Sequence, residues 1–311
     1  MNPATYSILT QRIKQLGHLP AMPAILATLC DALGQKTQQI NVDEVVRQIL
    51  YDQSLAAQCL RVANSALFRQ RGDVTTVKDA VLALGLWRIR DLAFSCSLPM
   101  LFANVNTSVG KEVFWRHALG TAVISEGLGR ELGARFLEGI YLAGLLHDIG
   151  VLVNAVLFMD DFRDVLKESM ENRLPLDKME QRILGFTHGE SGRILAELWR
   201  LPTEFADVIE YHEDPEKLNQ KPDGAQNTAL SEMVVLVHAA DLICQKMGLG
   251  YGYELKSPEV NTLPGIWQTL EERFPIARSF TESTSTKLAH HLVSEAEKLA
   301  DTVFTPVMTT S

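Results

Sequence analysis

The sequence predicts an all-helical protein. Apolar residues recur at three- and four-residue spacing along nearly the whole chain, few runs alternate as strands do, and capping signals punctuate the pattern. With 311 residues, 46% hydrophobic and 22% charged, the chain has the apolar content for a sizeable core. That excludes a disordered tail, a collagen-like fibre and a small disulfide scaffold.

The elements follow in order. Ile25, Leu26, Leu29 and Leu33 make one stripe of a helix within 21–34. Asn41 and Glu44 have capping-box spacing at the head of the next helix, which carries Val45, Val46, Ile49 and Leu50. Helices are expected over 54–68 and from Val77 to Leu98, the latter broken at Gly85. Helical spacing then covers 111–132, 136–158, 160–172, 176–184, 188–200, 203–212 and 228–248, with a terminal pair near 260–273 and 280–304. Polar breaks fall at 105–110, 213–227 and 256–265. They divide the chain into a segment 1–17, an N-terminal helical lobe 18–105, a second lobe 106–250 and a C-terminal helical extension 251–311.

A net charge of -9 argues against a general nucleic-acid binder, which needs clustered Lys and Arg. The sign is uneven: residues 1–100 carry 10 basic and 7 acidic residues, and the acidic excess lies beyond them. Arg61, Arg69, Arg71, Arg88 and Arg90 are read as a solvated face rather than a partner surface. A DNA-binding helix-turn-helix over 75–92 rests only on short helices around Gly85 and a few arginines. Cys30, Cys59, Cys96 and Cys244 are widely spaced and suit a reducing cytoplasm, as small buried residues. The N-terminus lacks a basic start followed by an apolar run, so no signal peptide is expected. Residues 140–158 approach the roughly 20 residues of a membrane span, and no comparable segment is apparent elsewhere. His147 and Asp148 fall at its centre without flanking basic residues, which favours a buried helix and no membrane.

An ionised carboxylate in an apolar interior is costly without a partner, so Asp148 demands one. His147 is adjacent, but neighbours on a helix diverge by about 100°, and the partner is expected from elsewhere in the fold. His117 shares a face with Phe114, Ala118, Thr121 and Leu128. His188 opens a helix inside a Thr187–Glu190 capping box. His212 ends a helix on the stripe of Phe205, Val208 and Ile209, and Asp241 lies on the side of Val234, Val237 and Cys244. Any one of these histidines is more often a hydrogen-bonded core residue than a ligand, and Asp148 alone could cap a helix or pair with an arginine. The convergence of all six is less easily fortuitous. Four imidazoles and two carboxylates suit one or two divalent ions of the Fe, Mn, Zn or Ni type better than Mg or Ca. His238, at i, i+3 from Asp241, is read as supporting rather than ligating. His18 is read as a surface turn, His290 and His291 as a solvated helix face, and Trp87, Trp115, Trp199 and Trp267 as packing residues.

LLHDIG (145–150), with His117 before it and His188, His212 and Asp241 after it, resembles the HD superfamily of metal-dependent phosphohydrolases. LPAMPAILATL (19–29), ILYDQSLAAQCLRVANSALF (49–68), TTVKDAVLALGLWRIRDLAF (75–94) and THGESGRILAELWRLP (187–202) resemble the HDOD family more narrowly, over about 18–215. The resemblance implies an HD-type helical core packed against an N-terminal helical lobe, in a cytoplasmic module of bacterial signalling with a signalling-protein partner. It implies metal ligation by His117, His147, Asp148 and Asp241, with His188 and His212 matching the extra histidines of two-metal relatives such as HD-GYP phosphodiesterases. Asp148 would be the bridge between ions and, acting through the metal, the best candidate for a catalytic role.

Departures from the HD-GYP pattern are specific. Val151 stands where a phosphate-facing lysine is usual, Tyr211-His212-Glu213 replaces a paired His-His-Glu, and EDPEKLNQ replaces the Asp-Gly and Gly-Tyr-Pro elements. Loss of the cation removes a contact that phosphoryl transfer uses. The leading expectation is therefore a regulatory module that is non-catalytic or weakly catalytic. The alternative is a metal-dependent phosphohydrolase acting on a nucleotide or cyclic dinucleotide phosphoester, with Glu213 or His238 orienting a water.

Overall fold

The computed structural model describes residues 3–15, 22–34, 42–65, 67–68, 73–135, 137–221, 228–249 and 262–304. Among them there are helices and no strands, as the spacing of apolar residues requires. The expected turn at His18, the Asn41–Glu44 box, Arg69, Arg71 and the side chains of Cys30 and Leu33 lie outside the described residues.

The chain divides into two compact units. One comprises residues 20–104 and 295–311, the other 1–19 and 105–294. In chain order the helices are α1 (Pro3–Gln15), α2 (Ala24–Gly34), α3 (Val42–Tyr51), α4 (Gln53–Ala63), α5 (Val77–Leu84), α6 (Leu86–Leu101), α7 (Lys111–Glu131), α8 (Ile140–Leu146) and α9 (Ile149–Leu157). They continue with α10 (Met159–Asn172), α11 (Leu176–Ile183), α12 (His188–Leu198), α13 (Thr203–Tyr211), α14 (Glu216–Asn219), α15 (Thr228–Lys246), α16 (Leu263–Arg273) and α17 (Glu282–Phe304), with a 3₁₀ turn Pro275–Ser279 before the last.

In the smaller unit, α2 and α4 pack on α6, and α3 bridges α4 and α5. Leu26, Leu29, Val45, Ile49, Cys59, Val62, Ile89, Leu92 and Phe94 are buried there. Each fully buried aliphatic side chain contributes roughly 1.5–3 kcal/mol of transfer free energy. Leu50, expected on the apolar stripe, is instead 53% exposed, because the buried stripe of α3 follows Val45 and Ile49. The helix expected over 54–68 stops at Ala63. There Asn64 turns its side chain back, donating to the Leu60 and Val74 carbonyls and accepting from Val74 N–H, which satisfies the chain end that a further helical turn would otherwise use. Gly85 does divide α5 from α6: its φ of 80° and ψ of 164° suit only glycine.

Arg90 does not belong to a solvated face. It is buried, its Nε donates to Asp91 Oδ1 at 2.9 Å, and its guanidinium lies 4.8 Å from the centre of the Trp87 ring. Burial of the charge is offset by this ion pair and by the aromatic face. Trp115, Trp199 and Trp267 are buried packing residues, and His290 and His291 are exposed.

In the larger unit, α7 packs on α8 and α15, α12 packs on α9 and α13, and α1 lies against α9 and α12. The loop expected over 213–227 contains the short α14. The apolar run 140–158 is two helices, not one, interrupted at His147 and Asp148. Residues 140–157 have a mean hydropathy of 1.8, and 89% of them are buried. A second segment is also long and apolar enough to span a bilayer: Thr228–Lys246, 78% buried. Both line the interior of this unit.

Candidate metal centre

The break in the apolar run creates the centre. His147 occupies the C-cap of α8 and Asp148 the N-cap of α9. In an unbroken helix their side chains would diverge. Here His147 Nε2 lies 3.1 Å from Asp148 Oδ2, so, contrary to the expectation for a continuous helix, the adjacent residue is itself a partner. Asp148 does not use its carboxylate to cap α9. The group instead faces the interior, with the positive end of the α9 dipole favouring its negative charge.

All six residues singled out in the sequence meet around this carboxylate, and none is more than 2% exposed. His117 Nε2, from the middle of α7, is 3.6 Å from Asp148 Oδ2, 3.2 Å from His147 Nε2 and 3.2 Å from Asp241 Oδ1 of α15. On the other side, His212 Nε2 is 3.1 Å and His188 Nε2 3.5 Å from Asp148 Oδ1. Two groups of ligand atoms result, His117–His147–Asp148 and Asp148–His188–His212, each compact enough to surround an ion. Asp148 is common to both, and Asp241 faces the first.

The four imidazoles present the same nitrogen. His117 Nδ1 meets the Leu249 carbonyl at 3.0 Å, and His147 Nδ1 the Gly144 carbonyl at 2.7 Å. His212 Nδ1 meets the Ile209 carbonyl at 2.9 Å, and His188 Nδ1 meets Glu180 Oε2 at 2.7 Å. His147 and His212 use one local device: a histidine ending a helix donates to the carbonyl three residues back. Every Nδ1 therefore faces an acceptor and carries its proton, which leaves Nε2 as the lone-pair nitrogen. Two such lone pairs, on His117 and His147, cannot rest 3.2 Å apart without a proton or a cation between them. His188 Nε2 and His212 Nε2 are buried without a hydrogen-bond partner. Orphaned donor atoms of this kind, with a carboxylate between them, fit a divalent metal of the nitrogen-loving series.

Electrostatics agree. Burial alone would raise the Asp148 carboxyl, but the facing His147, His212 and His188 outweigh it and hold the group well below the usual carboxylate range. Burial depresses His147; Asp148, with help from Asp241 and the Gly144 carbonyl, more than offsets this and raises it. Burial likewise acts against His188, yet Glu180, Asp148 and Glu213 lift it to about 10. At His147 and His188, then, a proton competes for the nitrogen that a metal would take.

The supporting residues were less visible in the sequence. Glu180 of α11 is fully buried, accepting from His188 Nδ1 and the His188 backbone N–H through Oε2, and from Asn154 Nδ2 through Oε1. Its one signal was a place on the buried stripe of Leu176 and Met179. His238 donates from the α15 side to the His212 carbonyl at 2.7 Å, a supporting contact. Glu213 Oε1 lies 3.6 Å from His188 Nε2 and 3.9 Å from His212 Nε2, and is the one carboxylate near the centre with appreciable solvent contact. The expected Thr187–Glu190 capping box is present in full and sets His188 as the first residue of α12.

A helical bundle with histidines and aspartates converging on an HD pair defines the class of HD-type helical domains. The HDOD domain family model matches residues 19–215, and the chain belongs to that family. A solved HDOD domain protein of unknown function from Geobacter sulfurreducens is 25% identical, with a TM-score of 0.76 over 96% of this chain and 97% of its own. A candidate phosphohydrolase from Shewanella amazonensis SB2B shares the fold at 21% identity, with a TM-score of 0.69 over 95% of this chain and 97% of its own. So does a candidate signal transduction protein from Marinobacter aquaeolei VT8, at 18% identity and a TM-score of 0.65, over 97% of this chain and 67% of its own. Among curated proteins, an uncharacterized protein of Treponema pallidum is 23% identical over 199 residues, which are 64% of this chain but 38% of that protein.

Proposed function

We propose that this protein is a cytoplasmic signal-transduction module whose HD-type site holds one or two divalent ions in a regulatory rather than hydrolytic role. The observation that carries this reading is the burial of all six candidate ligands, none above 2% exposed. An ion bound there would draw together α7, the α8–α9 junction, α12, α13 and α15, and ligands contributed by separate helices make metal binding a source of folding free energy. A phosphoester needs more room than an ion, and beside HDIG stands the buried, uncharged Val151. His117, His147, Asp148 and Asp241 are the proposed ligands of one ion, and Asp148, His188 and His212 of another. A signalling-protein partner would read the state of these helices. The fold it shares with a candidate signal transduction protein supports this setting.

The sharing of Asp148 by two ligand groups favours a second reading, a phosphohydrolase acting on a nucleotide or cyclic dinucleotide phosphoester. The metal would lower the pKa of a bound water there, while Glu213, the solvent-touching carboxylate, would hold that water's proton. Metal content of protein purified without chelator, with a phosphoesterase assay on the loaded protein, decides. Bound metal without turnover supports the regulatory module; turnover abolished in Asp148→Ala establishes the enzyme; no metal in any preparation ends both.

A further inference from the structure

Resting on that metal reading, we propose that Glu180 is a positioning residue: it aims His188 Nε2 at one of the two ion positions and sets how tightly that position holds its ion. Glu180 is 0% exposed and reaches the centre from α11, an element that supplies no candidate ligand. Its Oε2 lies 2.7 Å from both the ring Nδ1 and the backbone nitrogen of His188, so one oxygen fixes the imidazole and the start of its helix together. Oε1 is fixed in turn by Asn154 Nδ2 at 2.8 Å, from α9.

The other three histidines lean on neutral carbonyls: Leu249 for His117, Gly144 for His147 and Ile209 for His212. His188 alone among the four leans on a carboxylate at its Nδ1. A carboxylate on the far nitrogen makes Nε2 a stronger donor to a metal than a carbonyl does, and loss of such a partner weakens metal affinity by about 10–100-fold. The effect should be confined to the Asp148–His188–His212 group, since no hydrogen bond of Glu180 reaches His117, His147 or Asp241.

Glu180→Gln separates charge from shape. The amide oxygen still accepts from His188. The new NH₂ meets Asn154, whose Oδ1 has no hydrogen-bond partner and can turn to accept it. The full-length protein is titrated with manganese(II) alone by calorimetry, bound manganese is counted, and imidazole N–H protons are followed by NMR in the metal-free state.

Wild type should bind two ions. E180Q should bind one unchanged and the other at least about tenfold more weakly, with the His188 Nδ1 proton signal, identified by its loss in His188→Ala, moved upfield. Affinities for both ions unchanged from wild type in E180Q, or equal weakening of both, overturns the assignment alone. Wild type that takes up no manganese overturns the functional reading and the assignment together. Should E180Q melt before loading, Asn154→Ala, which removes only the brace on Oε1, must show the same one-sided loss in milder form; unchanged affinities there count against the proposal.

Discussion

Gly150 stands so close to the carbonyl of His188 that no side chain can occupy its position: a Cβ there would overlap that oxygen and come 2.7 Å from Gly192 N. The glycine of LLHDIG thus serves the contact between α9 and α12, which carries His188 to Asp148. Gly189 is similarly confined, with a Cβ placed 2.9 Å from the Glu210 carbonyl of α13. Gly150→Ala must push α9 from α12. We expect a loss of about 2–3 kcal/mol of stability together with loss of metal, measured by denaturant unfolding and metal content of the same samples.

Asp148 lies in both ligand groups, so its removal should cost both ions. A chelator should lower the melting temperature of wild type, since an ion at 100 times its dissociation constant stabilises by roughly 2.7 kcal/mol. In Asp148→Ala the chelator should change nothing. A preserved chelator effect in that variant would place the metal elsewhere.

The raised histidines give a pH signature. His188 is lifted from its ordinary value to about 10 in the metal-free protein. Its protonation then contributes stability that is complete below about pH 6.5, its unfolded value, and is lost as pH rises toward 10. Metal must displace protons from His188 and His147, so apparent metal affinity should climb over the same interval. Thermal melts with and without metal at pH 6.5, 8 and 9.5 should diverge, the metal-free protein weakening while the loaded protein holds its stability.

Arg193 offers a control away from the ligands. Its Nη1 donates at 2.7 Å to both Asp207 and Glu210, and its Nε donates to Glu197, which also accepts from Tyr6 of α1. Asp207 is buried and keeps Lys221 as a second partner. Arg193→Ala should destabilise by about 2 kcal/mol, the scale of a hydrogen bond to a charged group. Lysine should rescue it incompletely, because one ammonium cannot reproduce the guanidinium fork. Metal count should be unchanged, and a shifted count would tie this network to the centre.

Helical periodicity was legible because α7, α12 and α15 each bury one face or nearly all of their surface, and polar residues on such helices stand out. His117, His188 and Asp241 were visible for that reason. The split of 140–158 was not legible: apolar spacing is the same in one buried helix as in two, and only the backbone turn at Asp148 distinguishes them. That turn also brings His147 to face its neighbour, where an unbroken helix would turn it away. Glu180 escaped notice because its sequence surroundings, DKMEQR, are polar. Its burial follows from α9 and α12 covering it, a long-range effect that no local pattern carries. Arg90 misled for the converse reason, since its burial depends on Trp87 and Asp91 closing over it.

The four imidazoles already have their orientations settled by carbonyl and carboxylate anchors. An arriving cation would therefore find its coordination sphere assembled, and capture would ask for no slow refolding of side chains. With every donor shielded from water, entry and departure would both wait on an opening of the surrounding helices. Were an ion held there, the centre would keep a lasting record of having met it, and its clock would be set by how seldom those helices part.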